Sequence, residues 1–240
     1  MPPLANRNIP VNERLIFALD VPSCAEAAAL ADTLGDSVMF YKMGLELFTT
    51  RGYFELVDTL VGRGKKIFVD LKFFDIAETV RRAIIRLREL GVTFTTIHPN
   101  SDDAMKDIVG AKGDLRVLVV TVLTSLSDAD LRTLGSEGGD VRSTVIARAS
   151  RAHDLGLDGV IASGLEAADV RSAIGDGFTI VTPGIRPAGE RKTDDQKRVV
   201  TPADAFRNGA DYIVVGRPIR DAANPRTAAE AIQKEIAAAF

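Results

Sequence analysis

The chain has 240 residues, enough for one large domain or two small ones, and its length matches the roughly 250 residues of a single (β/α)8 barrel. With 46% hydrophobic and 26% charged residues it has the composition of an ordinary globular protein, and 30 Lys+Arg against 33 Asp+Glu leave no basic excess for a nucleic-acid or membrane surface. A single cysteine, Cys24, excludes an internal disulfide, and one cysteine with two histidines makes a zinc framework unexpected.

Residues 1–12 are rich in Pro and Asn, lack the apolar core of a secretory signal, and read as an extended arm. No apolar run approaches the ~20 residues of a membrane span, so a cytoplasmic location is expected. From there short β-branched runs alternate with longer amphipathic stretches. Strands are predicted at 15–19, 38–43, 66–71, 94–98, 117–122, 159–162, 179–182 and 212–215. Helices are predicted between and after them, at 25–34, 46–61, 77–90, 102–111, 141–155, 166–173, 202–208 and 223–238. The strands are almost continuously apolar, as when both faces of a parallel sheet are covered. Eight βα units without interruption predict an α/β protein of one domain over residues 1–240, a closed barrel. An open doubly wound sheet uses the same alternation, because strand order is not written in a single sequence. Two long polar segments, 125–140 and 184–199, follow the fifth and seventh strands, on the face where barrels keep their active sites.

Charged residues fall at the ends of the first three strands. Asp20 closes RLIFALD, Lys42 sits in VMFYKMG, and Asp70 and Lys72 close KKIFVDLK. Residues i and i+2 of a strand face the same way, so Asp70 and Lys72 project together, and a closed barrel gathers all four at one mouth. Any one alone reads as a solvated strand end. Four of alternating sign can pair as Asp20–Lys42 and Asp70–Lys72, the condition under which buried charge is tolerated. Asp75 opens the next helix as an N-cap, with Glu78 at capping-box spacing, which does not preclude a second role. After the last strand comes Gly216-Arg217, where such barrels recurrently bind phosphate. Glycine admits backbone N–H groups close to an anion and arginine offers a forked charge. Pro183-Gly184-Ile185-Arg186 after the seventh strand offers the same chemistry. His98, at a strand end, reads as a structural hydrogen-bonding residue.

The stretch IFVDLKFFDIAETV at 67–80 resembles the signature of the orotidine 5′-phosphate decarboxylase family. So, in order and spacing, do Leu19-Asp20, Tyr41-Lys42-Met43-Gly44, Val122-Leu123-Thr124-Ser125, Pro183-Gly184-Ile185-Arg186-Pro187, Asp195-Gln196 and Val215-Gly216-Arg217-Pro218, which are similar to the bacterial branch along nearly the whole chain. The family converts orotidine 5′-monophosphate to UMP, the last step of pyrimidine nucleotide synthesis, with no metal and no cofactor. The resemblance implies that Lys72 protonates C6 of the pyrimidine and that Asp70 lies against the departing carboxylate. It implies that Asp75 completes the charged array from the partner subunit of a homodimer, with Ile76 and Thr79 in the same contributed stretch. Asp20 and Lys42 would bind ribose hydroxyls and hold the array. Thr124 and Ser125 would read the pyrimidine edge, and Gln196, Gly216 and Arg217 would hold the phosphate with Arg186 nearby. Phe74, Ala77 and Glu78 stand where many bacterial members have His, Pro and Asn. His98-Pro99-Asn100-Ser101 replaces a smaller turn.

The chemistry suits such a cluster. Loss of CO2 from C6 leaves a vinyl-type carbanion that the ring delocalises poorly, so a preorganised cation beside C6 is the largest available help. Carboxylates beside a lysine favour its ammonium form, which can stabilise the carbanion and then give up a proton. Phosphate binding far from C6 can supply energy for loop closure. Three other functions use related parts. A Mg2+-dependent decarboxylase of sugar-acid phosphates shares Asp-x-Lys-x-x-Asp, but places a carboxylate metal ligand where this chain has Lys42. A Schiff-base aldolase would need Lys72 as a neutral amine. A non-catalytic phosphate-binding barrel has no use for an alternating charge array.

Overall fold

The computed structural model describes residues 8–135, 140–187 and 199–240. In chain order the elements are β1 (Leu15–Ala18), α1 (Cys24–Leu34), β2 (Phe40–Gly44), α2 (Leu45–Phe48), α3 (Tyr53–Gly62), β3 (Lys66–Phe73), α4 (Ala77–Glu89), β4 (Phe94–Ile97), α5 (Asp102–Ala111) and β5 (Arg116–Val120). They continue as α6 (Asp128–Thr133), α7 (Val141–Asp154), β6 (Gly159–Ile161), α8 (Ala167–Ile174), β7 (Thr179–Thr182), α9 (Pro202–Arg207), β8 (Tyr212–Val215), α10 (Arg217–Arg220) and α11 (Pro225–Ala237). The eight strands pair in parallel in sequence order, and β1 returns to β8 with Leu15 opposite Ile213, which closes the barrel.

The apolar runs divide into two cores because successive strand side chains face opposite ways. Leu15, Phe17, Tyr41, Ile67 and Val69 pack outward against the helices. Ile16, Phe40, Phe68, Phe94, Leu118 and Tyr212 form the second cluster. Phe94 of β4 and Tyr212 of β8 meet edge-on with ring centroids 5.1 Å apart, and strands on opposite sides of the barrel can touch only through its interior. This aromatic layer is the floor beneath the C-terminal mouth.

Three departures from the predicted elements have local causes. The helix predicted over 46–61 is two helices, α2 and α3. The hydroxyls of Thr49 and Thr50 turn back onto the carbonyls of Glu46 and Leu47, at 2.9 and 2.7 Å, and Gly52 at φ 86 begins the next helix from the left-handed region. Within the polar segment 125–140 lies a helix, α6, closed by a capping box in which Ser127 and Asp130 bond each other's backbone N–H. The arm is not extended throughout: Val11–Glu13 is a 3-10 turn, started by the carbonyl of Pro10 accepting from the N–H of Glu13 at 3.0 Å.

Candidate active site

The mouth of the barrel gathers the first three strand ends as expected. Lys42 Nζ on β2 donates to Asp20 Oδ1, just beyond β1, at 3.0 Å. Asp70 Oδ2 on β3 lies 3.8 Å from Lys42 Nζ and accepts from Lys72 Nζ at 2.9 Å. The result is one line of charge, Asp20–Lys42–Asp70–Lys72, alternating in sign. Gly44 makes room for it: a Cβ there would sit 3.1 Å from Lys42 Nζ.

Lys72 reaches this line by a route that strand alternation does not contain. Val69 pairs with Thr95 but Phe73 pairs with Ile97, so four steps along β3 span two along β4. Inside that irregularity Lys72 has φ 51, the one non-glycine residue in the left-handed region among the described residues. Such a backbone costs an ordinary residue about 1–2 kcal/mol. Its N–H is taken by Thr96 Oγ1 at 3.0 Å, and the same hydroxyl donates to Asp70 Oδ1 at 2.8 Å.

The electrostatics follow from this packing. Burial alone pushes the Asp70 carboxyl up, but Lys42 and Lys72, with hydrogen bonds from Lys72 and Thr96, outweigh it and hold the group below the usual carboxylate range. Burial likewise opposes the Lys42 ammonium, yet Asp70 and Asp20 raise it above an ordinary lysine. Both therefore stay charged at neutral pH.

Beside the array is a cleft lined by Lys42, Asp70, Lys72, Val122, Leu123, Thr124, Ser125 and Ile161, which brings Thr124 and Ser125 next to Lys72 and Asp70. It continues, past Lys42, Pro183 and Val214, into a more polar hollow lined by Asp20, Glu46, Gly184, Arg186, Gly216, Arg217 and Arg220. Three arginines make that end suited to a dianion. Arg220, one turn after Arg217 on α10, also donates to the carbonyl of Asp20 at 2.8 Å, tying the cationic end to the charge line. Gln196 lies outside the described residues.

Asp75, Ile76 and Thr79 are not brought into this cleft. All three are exposed, Ile76 at 72%, and none of them lines it. Asp75 is not the N-cap either: that position is Ile76, whose N–H donates to Asp75 Oδ1 at 2.6 Å, while Glu78 turns to Arg81 and Arg82 instead of closing a capping box. The unusual turn after β4 braces this segment. Asn100 Nδ2 donates to the carbonyl of Asp75 at 3.1 Å. The ring of His98 meets Phe74 edge-on, centroids 6.4 Å apart, and among the described residues it is this contact, with the His98 backbone N–H donating to the Phe73 carbonyl, that stands where a side-chain hydrogen bond was expected.

Thr96, Glu46 and Arg220 also stand at the array and the hollow, though their sequence context did not mark them as site residues. Thr96 left one faint signal, a pair of threonines at the centre of the short strand FTTI. Arg220 left another, a second arginine three residues after Arg217.

Fold and site together define a (β/α)8-barrel enzyme built around an ammonium–carboxylate array. The chain belongs to the orotidine 5′-phosphate decarboxylase / HUMPS family, whose model matches residues 13–232. It is 55% identical over 237 residues to the orotidine 5′-phosphate decarboxylase of Methylococcus capsulatus, covering 99% of this chain and 97% of that one. It is 52% identical over 230 residues to the enzyme of the same name from Stenotrophomonas maltophilia, covering 95% of each. The crystal structure of orotidine 5′-phosphate decarboxylase from Lactobacillus acidophilus superimposes with a TM-score of 0.79 at 36% identity, covering 93% of this chain and 99% of that one.

Proposed function

We propose that this chain decarboxylates orotidine 5′-monophosphate to UMP, the last step of pyrimidine nucleotide synthesis, using its own side chains and no cofactor. The observation that carries this is the charge line at the barrel mouth, with Lys72 at its end facing a cleft whose far side holds three arginines. The phosphate lies against Arg186, Arg217 and Gly216, with Gln196 of the same loop region, and the ribose against Asp20 and Lys42. The pyrimidine then faces Thr124, Ser125 and Lys72, its carboxylate toward Asp70. The bond from C6 to the carboxylate breaks, CO2 leaves, and the electron pair stays on C6 beside the Lys72 ammonium. Lys72 Nζ gives its proton to C6 and is reprotonated from solvent. Lys42 takes no proton step in this account; held between Asp20 and Asp70, it keeps Asp70 ionised and in place. An ammonium there also repels the Mg2+ that the sugar-acid decarboxylases need.

Asp75, Ile76 and Thr79 belong to the partner's site in this account, in a homodimer; their exposure outside their own chain's cleft supports it. Nucleic acid and membrane have no part in it, and no helix among the described residues is long and apolar enough to cross a membrane. The account also includes one domain over residues 1–240, supported by a single closed sheet, and a cytoplasmic location, expected of an enzyme acting on a free nucleotide.

The test follows the ultraviolet absorbance of orotidine 5′-monophosphate with purified protein in EDTA. Turnover is expected, and Lys72→Ala should abolish it while UMP still binds. Turnover lost with EDTA, or a borohydride-trapped adduct on Lys72, overturns the cofactor-free proton-transfer account.

A further inference from the structure

We propose that Thr96 is a positioning residue for the decarboxylation, one hydroxyl that sets both the plane of the Asp70 carboxylate and the backbone that aims Lys72. This rests on the roles given above to Asp70 and Lys72. Thr96 is fully buried on β4, and its hydroxyl is spent in two directions: it donates to Asp70 Oδ1 at 2.8 Å and accepts from the N–H of Lys72 at 3.0 Å.

The division of labour at Asp70 explains the first bond. Both ammonium groups approach one oxygen, Oδ2: Lys72 at 2.9 Å and Lys42 at 3.8 Å. A carboxylate held through a single oxygen can still turn about its Cβ–Cγ bond. The hydroxyl on Oδ1 removes that freedom, so the face offered to a neighbouring substrate carboxylate is constant. The second bond answers the broken register. Between Val69 and Phe73 the β3–β4 pairing shifts, and Lys72 sits there at φ 51. A strained backbone persists only where its surroundings over-determine it. Thr96 supplies a side-chain acceptor to the Lys72 N–H within that shift.

The neighbouring residue is an internal control. Thr95 is as buried as Thr96 but points to the other face, and its hydroxyl donates to the carbonyl of Val69 at 2.8 Å, away from the array. Thr95→Val and Thr96→Val each remove one buried hydroxyl of the same size, and only one of the two hydroxyls touches Asp70 and Lys72.

The experiment measures kcat, KM, the pH profile of kcat/KM and the melting temperature for Thr95→Val, Thr96→Val, Thr96→Ser and Lys72→Ala. Thr96→Val should lower kcat by about tenfold or more with KM changed by less than about threefold. Asp70 loses a donor that favours its charged form, so the acid limb should move to higher pH. Lys42 of β2, Lys72 of β3, His98 after β4, Tyr53 of α3 and, behind Lys42, Asp20 are the other titratable groups around Asp70, and the substitution leaves all of them in place. Thr96→Ser should recover most of kcat and the acid limb. Thr95→Val should lower the melting temperature without moving that limb. An unchanged kcat and acid limb in Thr96→Val, or changes matching those of Thr95→Val, overturn the proposal while an inactive Lys72→Ala leaves the underlying mechanism standing. An active Lys72→Ala overturns the mechanism itself. If Thr96→Val does not fold, Thr96→Cys, with a weak donor, is judged by the same acid limb.

Discussion

At the mouth, burial and charged neighbours together set the ionisation of the His98 ring. Burial, then the Lys72 ammonium and the Arg148 guanidinium, push its pKa below the 6.5 of an ordinary histidine, against the pull of Asp70. Between its folded and unfolded values the unfolded chain binds more protons, so stability rises with pH there. The contribution is present above pH 6.5 and is lost as pH falls through the lower folded value. A proton resonance titration of the His98 ring should therefore have its midpoint below 6.5. Between about pH 7 and about pH 5, His98→Gln should lose less melting temperature than the unchanged chain. A midpoint at or above the ordinary value contradicts the packing of Phe74, Lys72 and Arg148 around this ring. The exposed Phe74 lies edge-on to this ring.

At the scale of elements, α10 is the piece that joins the two halves of the site. It is only four residues long, begins after Gly216, and places Arg217 in the cationic hollow while Arg220 bonds the carbonyl of Asp20. Arg217→Ala should cost about 2–5 kcal/mol in kcat/KM for the nucleotide, the scale of removing one partner from a desolvated charge pair. With the phosphate-free nucleoside the same substitution should cost almost nothing, because the lost contact has no counterpart. Equal losses with both substrates would show that Arg217 supports the fold and not the phosphate. Arg220 is expected to be less separable, since its loss also releases the Asp20 backbone. Arg186, four residues past the end of β7, lines the same hollow as Arg217, and phosphate held there would act on the chemistry as remote binding energy.

For the whole molecule the decisive question is where Asp75 acts. Its own chain leaves it exposed beside Phe74 at 69% and Ile76 at 72% exposure, outside the cleft, with its carbonyl braced by Asn100. In the proposed homodimer, Lys72→Ala and Asp75→Asn should each abolish activity. Refolded together, they should recover about a quarter of normal activity if Asp75 serves the partner's site, on random pairing with independent two-fold sites. Half the dimers are then mixed, and each mixed dimer has one intact site out of two. If Asp75 serves its own site, every site carries one lesion and mixing restores nothing. Native mass spectrometry establishes that the mixed dimers formed, so an inactive mixture places Asp75 in its own chain's site.

Much of this was legible in the residues alone. Burial on both faces of a parallel sheet, and on one face of each covering helix, writes its period into every local stretch. The eight βα units, the charged strand ends and Gly216-Arg217 after β8 could therefore be read in order. The pairings Asp20–Lys42, across neighbouring strand ends, and Asp70–Lys72, within one strand end, were legible too, because charges of alternating sign gathered at one mouth are tolerated there only in pairs. Tertiary structure decided the closure of β1 onto β8, the shift of register that lodges Lys72 at φ 51, and the hydroxyl of Thr96 between Asp70 and Lys72. It also decided the reach of Arg220 to Asp20 across 200 residues of sequence. Each of these is a relation between distant segments set by how strands stagger around a barrel. A single hydrogen bond of that kind needs one polar atom at each end and imposes no period on the chain, so it leaves almost no mark in the order of the residues.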